Sequence, residues 1–212
     1  MKIIVLHGDD TTKSYDRLTK FIDTAKKRGW EIVTDEFPNT PSLFGTDRLI
    51  IYRDFSLLTK RDIKNFDRFT GTLVIYHEGI LPQTFLKLMP PDFKMEKFEL
   101  PKLLFTFLEA FYPGNLERAV KLLHALIESS AIELIFFMLA RHLKDLYWVS
   151  IDPKTSNYPS WRLGKLKSQA GKFGEEKLTQ IISELADIDI VVKTSKADLL
   201  TSLDLLIVKQ LE

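Results

Sequence analysis

Seven residues near the start of the chain, Gly8-Asp9-Asp10-Thr11-Thr12-Lys13-Ser14, stand where a strand-like apolar run gives way to a helical pattern. A phosphate-binding loop occupies such a place. It needs G-x-x-x-x-G-K-[ST], because the second Gly lets successive backbone N–H groups curl around the phosphates. This chain keeps Lys13-Ser14 but lacks that Gly and is one residue short. Asp9 and Asp10 would also set two like charges beside a polyphosphate, a repulsion that only a metal or an arginine would relieve. A strand-to-helix turn with Asp and Thr as caps accounts for the same residues without a ligand, and is the favoured reading. The acid that a later strand would offer to magnesium is Glu78, in Ile75-Tyr76-His77-Glu78, and Gly79 rather than a second acid follows it.

Other candidate chemistry is thin. His7, His77, His124 and His142 are scattered without a paired spacing such as H-E-x-x-H, so no metal site is expected. Asp187 and Asp189 lie two apart, which on a helix sends them to different faces. There is no G-x-S-x-G elbow and no cysteine, which removes disulfides, thiolate ligands and cysteine nucleophiles together. No cofactor and no catalytic residue is expected. Trp161 to Phe173 carries Arg162, Lys165, Lys167 and Lys172 with no acid; such a face is ordinarily just solvated, and if it works it touches DNA inside an assembly. Tyr147, Trp148, Tyr158 and Trp161 bracket a loop with Pro153 and Pro159, where aromatics usually anchor the loop and can also stack on bases.

The elements that must position these residues fall into two rhythms. Lys2 to His7, Glu31 to Thr34, Leu49 to Tyr52 and Thr72 to Tyr76 read as short strands, with helices over Ser14 to Arg28 and Arg61 to Phe69. Strands alternating with helices of this size predict a small parallel α/β sheet, closed by a last strand over Lys94 to Leu100. Beyond Pro101, which suits the first position of a helix, helical patterns run over Pro101 to Phe111, Asn115 to Leu126, Ala131 to Trp148 and Trp161 to Phe173. Leu178, Ile181, Ile182, Leu185, Ile188 and Val192 then form one apolar stripe, and Asp189 and Lys193 stand in the favourable order for a helical ion pair. Ser195 and Asp198 read as a capping box opening a final helix rich in Leu199, Leu203, Leu206, Ile207 and Leu211, a helix that must be buried against several neighbours.

At 212 residues and 45% hydrophobic content the chain can build one large or two small cores. Net charge is +1, and residues 1–100 (16 basic, 15 acidic) and 101–212 (14 and 14) are each near balance, which excludes the charge excess of an autonomous nucleic-acid binder. No signal peptide and no apolar run approaching the roughly 20 residues of a membrane span is visible, so a soluble cytoplasmic protein without membrane partners is expected.

The Asp189-x-x-x-Lys193-Thr194 step before the last helix resembles the C-terminal helices of the delta subunit of bacterial DNA polymerase III. The resemblance continues through Met138-Leu139-Ala140-Arg141 and Lys165-Leu166-Lys167-Ser168-Gln169-Ala170, in the order and spacing of that family's collar domain. Leu6-His7-Gly8-Asp9-Asp10 is similar to the family's opening strand followed by Gly and two acids. The resemblance implies a degenerate RecA/AAA+-like sheet domain over residues 1–99, without a functional P-loop, and a helical collar over 100–212. It also implies the partners: the sliding clamp, the clamp-loader ATPase subunits, and primed DNA within the complex. Collar assembly would run through the final helix, with Leu199, Leu203 and Leu206.

Between the second and third strands lies Pro41-Ser42-Leu43-Phe44-Gly45. From the residues alone Leu43 and Phe44 either plug the edge of the core or stand out as an interaction knob, and core filling is the favoured reading. The resemblance reverses that reading, because delta subunits present a Ser-Leu-Phe at this place to a hydrophobic pocket on the clamp, so Ser42, Leu43 and Phe44 are the expected clamp-binding residues. The chain departs from the family in passing from Glu99-Leu100 straight into Pro101, without the helical lid domain, and in having Ser195 where Gly is frequent. Two alternatives stand beside the clamp-loader reading: an interaction protein that kept the fold without clamp binding, and a small P-loop-related NTPase using Lys13 and Ser14.

Overall fold

The computed structural model describes residues 2–36, 47–59, 63 and 71–212. It divides into two compact units, Met1–Leu100 and Pro101–Glu212. Ser42, Leu43 and Phe44, and all of the helix expected over Arg61 to Phe69 except Ile63, lie outside the described residues.

The first unit is a five-stranded sheet of β1 (Lys2–Gly8), β2 (Glu31–Thr34), β3 (Arg48–Tyr52), β4 (Gly71–Glu78) and β5 (Lys94–Lys97), in the order β2-β3-β4-β1-β5. Every pairing is parallel, as the alternating pattern predicts. Alternation along β1 sends Ile3 and Val5 to one face and Ile4 and Leu6 to the other. Both faces are covered, so β1 and β4 read as continuous apolar runs. Helix α1 (Thr11–Lys27) packs Leu18 and Ala25 against Ile4, Leu6, Leu49 and Ile51. The opposite face is closed by Leu58, Leu81, Met89 and Phe85 of the short α2 (Gln83–Leu86). The chain therefore leaves β1 toward one face and β4 toward the other, so their carboxyl ends flank the kind of crevice where open α/β sheets bind ligands.

The second unit comprises α3 (Lys102–Ala110), α4 (Leu116–Ile127), α5 (Ile132–Ile151), α6 (Ser160–Ala170), α7 (Glu175–Lys193) and α8 (Leu199–Leu211). Residues 98–101 alone join it to β5. Helix α5 is its axis, packing on α3, α6, α7 and α8 through a seam of Ile135, Leu139, Leu143 and Leu146.

Several element boundaries differ from the sequence reading; β5 ends at Lys97 rather than Leu100, and α5 runs on to Ile151. Helix α1 begins at Thr11 rather than Ser14, capped by Asp10 of the expected strand-to-helix turn. Pro101 is the cap residue of α3 rather than its first helical residue. Helix α6 ends at Ala170, and 171–173 turn away from it. Ser195 does not cap α8; Asp198 does, accepting the Thr201 N–H at 2.9 Å. Ser195 instead ends α7 in the left-handed region, φ 56°, with its N–H on the Val192 carbonyl and the Lys196 N–H on Val191, the paired bonds of a Schellman turn.

Candidate functional site

At the carboxyl end of β1 several of the groups that would meet a phosphate are already committed. Gly8 N–H donates to Gly79 O at 2.8 Å and Gly79 N–H returns to Gly8 O at 3.0 Å, bridging the crevice between β1 and β4. Asp10 N–H donates to Phe98 O, while the buried Asp10 carboxylate accepts the Lys13 N–H and lies 3.1 Å from the Lys13 ammonium. Ser14, the residue that would ligate magnesium, is buried and donates its hydroxyl to Thr11 O. The first turn of α1 thus carries an internal anion, Asp10, where a phosphate would sit.

The neighbouring histidines are scaffold. His7 is buried and its Nδ1 accepts the Leu81 N–H at 3.3 Å, which requires that nitrogen to be unprotonated. Burial, then the nearby Lys97 and His77 charges, lower its pKa below the ordinary histidine value, in keeping with a neutral ring. His77 pairs with His7 in register and packs edge-on against Phe55, ring centroids 5.0 Å apart. Among the described residues no cluster of three His, Cys, Asp or Glu could hold a metal ion, and no helix is long and apolar enough to cross a membrane.

In the helical unit the four expected DNA contacts are treated unequally. Arg162 lies 3.3 Å from Asp145 and over the Tyr158 ring, Lys165 pairs with Glu109 at 3.0 Å, and Lys172 caps the Tyr112 ring. Lys167 is exposed and forms no ion pair among the described residues. Exposed pairs hold their partners weakly, so Lys165 remains available to an anion, whereas Arg162 is fixed by two contacts at once. Trp161 beside it is 69% exposed.

On the final helix, Leu199, Leu203 and Leu206, the residues expected to serve collar assembly, are buried within their own unit. The outer face of α8 instead shows Leu205, 66% exposed, and Val208. Its position is pinned by Glu184 of α7, which accepts from Lys209 and Gln210, and by His124 of α4, 3.1 Å from Asp204. Burial of Glu184 opposes its ionisation, but hydrogen bonds from Lys209, Gln210 and Gln180 outweigh it and leave the pKa below the usual value.

One functional-grade residue was not singled out by sequence reasoning. Gln169, buried in α6, donates to Leu108 O at 2.8 Å and Phe111 O at 2.9 Å, and accepts from His142 Nε2 at 3.0 Å. It completes the C-terminal end of α3 and ties three helices together. Burial lowers the His142 pKa, and the Gln169 bond offsets this in part. A lone Gln inside an otherwise apolar helical stripe was the available signal.

A parallel sheet whose β1 and β4 ends are bridged by their own backbone is thus followed by a helical unit that carries exposed apolar and basic residues. A family model for the DNA polymerase III delta subunit, C-terminal domain, matches residues 102–210, just over half of the chain. The chain belongs to the DNA polymerase III delta subunit family, the clamp-loader delta subunits. Among solved structures, the Bacillus subtilis DNA clamp loader delta protein (YqeN) is similar over 100% of this chain and 95% of its own, at 13% identity and a TM-score of 0.47. No curated protein sequence matches the chain.

Proposed function

We propose that this chain serves in the cytoplasm as the clamp-binding subunit of a clamp loader. It would hold the sliding clamp open for loading on primed DNA, without catalysis of its own. Membership of the delta family through residues 102–210 carries the reading. The bridged crevice at Gly8 and Gly79 supports the non-catalytic part, since several of the backbone groups a nucleotide would need, at Gly8, Asp10 and Lys13, are engaged. In this reading Ser42, Leu43 and Phe44 enter the clamp's pocket, and the helical unit packs as a collar against ATPase subunits through outward residues such as Leu205. Lys165 and Lys167, beside Arg162 and Lys172, face DNA within the complex. The work is that of a binder whose affinity for the clamp differs between assembly states.

The test is calorimetric titration with the sliding clamp from the same source, wild type beside Leu43→Ala/Phe44→Ala. Binding by the wild type that the double substitution weakens about a hundredfold or more is expected for two buried apolar anchors. Absence of wild-type binding would leave an interaction protein that kept the fold and abandoned the clamp. Titration with ATP in the same cell is expected to give no heat; saturable heat removed by Lys13→Ala would return the chain to the P-loop NTPases.

A further inference from the structure

Helix α5 has two seams. One is buried, as described above. The other runs along the opposite side as Phe137, Arg141, Lys144, Trp148 and Ile151, at steps of four, three, four and three residues, with Glu133 at its N-terminal end. Phe137 is 60% exposed, Trp148 52% and Ile151 54%. The Trp148 ring is held in place, its indole N–H donating to Thr155 Oγ1 at 3.0 Å. Arg141 and Lys144 pair with no carboxylate among the described residues, because the adjacent Asp145 is already engaged by Arg162. The alternating spacing is that of a helix-packing seam, and it covers about 21 Å at 1.5 Å per residue.

From this geometry we infer that the outer seam of α5 is a docking surface for an amphipathic helix of another protein, about four turns long, whose apolar seam is flanked by Asp or Glu. Phe137 at one end and Trp148 with Ile151 at the other supply the apolar anchors, and Arg141 and Lys144 between them select acidic flanks. A second copy of this chain fits poorly, since antiparallel pairing would set the two cationic centres against each other. Nucleic acid fits poorly as well: two cations over about 21 Å face roughly one phosphate per 1.7 Å of duplex axis. This inference stands on the helical unit alone and is independent of clamp binding through Leu43 and Phe44.

A display library of four-turn helices with randomised outer positions, selected against the full chain, tests it. The expected winners carry apolar residues at four-three spacing with Asp or Glu beside them. In anisotropy titrations of the best peptide, Arg141→Glu/Lys144→Glu should weaken binding about tenfold or more, and exchanging the peptide's acids for lysines should restore it. Phe137→Gln, which leaves the charge untouched and is exposed enough to spare the fold, should weaken it comparably. Winners that are neutral or basic, or indifferent to both variants, overturn the proposal. So does binding of an oligothymidylate that Arg141→Glu/Lys144→Glu abolishes, or self-association in sedimentation that Phe137→Gln abolishes.

Discussion

At the carboxyl end of β1, Gly8, Asp10, Lys13 and Ser14 direct their polar groups at one another and at the Thr11, Phe98 and Gly79 backbone. Along α5 and α6, Arg141, Lys144 and Lys167 direct theirs at solvent. The first region has the topology of a ligand site and spends its ligand-binding groups on closing itself. The second keeps these three charges exposed and without an ion-pair partner among the described residues, and several large apolar side chains exposed as well. Among the described residues, the exposed groups available to a partner thus lie on the helical faces, while the end of β1 satisfies most of its own.

The hardest test of that closure is Gly8→Ala. Gly8 has φ 140°, and a Cβ there would stand 1.9 Å from the Phe98 carbonyl oxygen and 2.6 Å from its carbon, both backbone atoms. Neither can yield without parting β1 from the chain that follows β5. We expect the first unit to lose about 3 kcal/mol or more. Hydrogen exchange would read this as lost protection in β1, β4 and β5 with α5 and α8 unchanged. Equal loss in both units would mean that the contrast drawn between them is false.

The helical unit has its own internal polar keystone, and Gln169→Leu removes it. The Leu108 and Phe111 carbonyls and the His142 N–H would then lack their partner. A loss of about 2–3 kcal/mol is expected, seen as a lower melting temperature and faster exchange at the α3 terminus. Protection of the sheet should not change.

These two positions also mark what a sequence can disclose. The strands and helices were legible because their apolar periods are local, and the parallel sheet followed from their alternation. The tightness at Gly8 was not, since it arises from Phe98, ninety residues on, and the same holds for Gln169 and the α3 carbonyls. Helix α8 was less legible for a different reason. A helix apolar over most of its circumference does not announce which leucines face inward, and only the packed neighbours show that Leu199, Leu203 and Leu206 are buried while Leu205 and Val208 are exposed. The basic character of α6 was visible, but its pairing with Asp145, Glu109 and two tyrosines required the packed neighbours.

A smaller effect separates the units by pH. The Arg17 guanidinium, with a lesser contribution from Lys94, holds the Glu96 pKa at about 2, joining α1 to the edge strand β5 by a bidentate pair at 2.7 and 3.0 Å. A carboxylate depressed in the folded state stabilises above its unfolded pKa, near 4.5, and that contribution fades as pH falls toward 2. Glu96→Gln should therefore destabilise the sheet by about 1 kcal/mol at neutral pH, with wild type and variant converging in acid. Urea titrations at several pH values would reveal it, and a gap that persists at pH 2 would assign the loss to packing rather than charge.

The smallest effect gives the sharpest contrast, because the same substitution should act with opposite sign in the two units. Asp35 and Ser195 both hold the left-handed region, at φ 54° and 56°. Asp35 is compensated: its carboxylate accepts the Arg53 N–H at 2.7 Å and the Asp54 N–H at 3.4 Å, steadying the exit from β3. Ser195 closes the Schellman turn of α7 through its backbone alone, while its side chain is exposed. A non-glycine residue in this conformation costs about 1 kcal/mol, and glycine relieves that while adding some unfolded-state entropy. Ser195→Gly should thus stabilise the helical unit by about 0.5 kcal/mol. Asp35→Gly should destabilise the sheet by about 1 kcal/mol, since the two accepted hydrogen bonds outweigh the relief of strain. Paired thermal melts of the two variants decide it. If both stabilise, the Asp35 carboxylate contributes nothing that matters; if both destabilise, the Ser195 hydroxyl has a role beyond the turn.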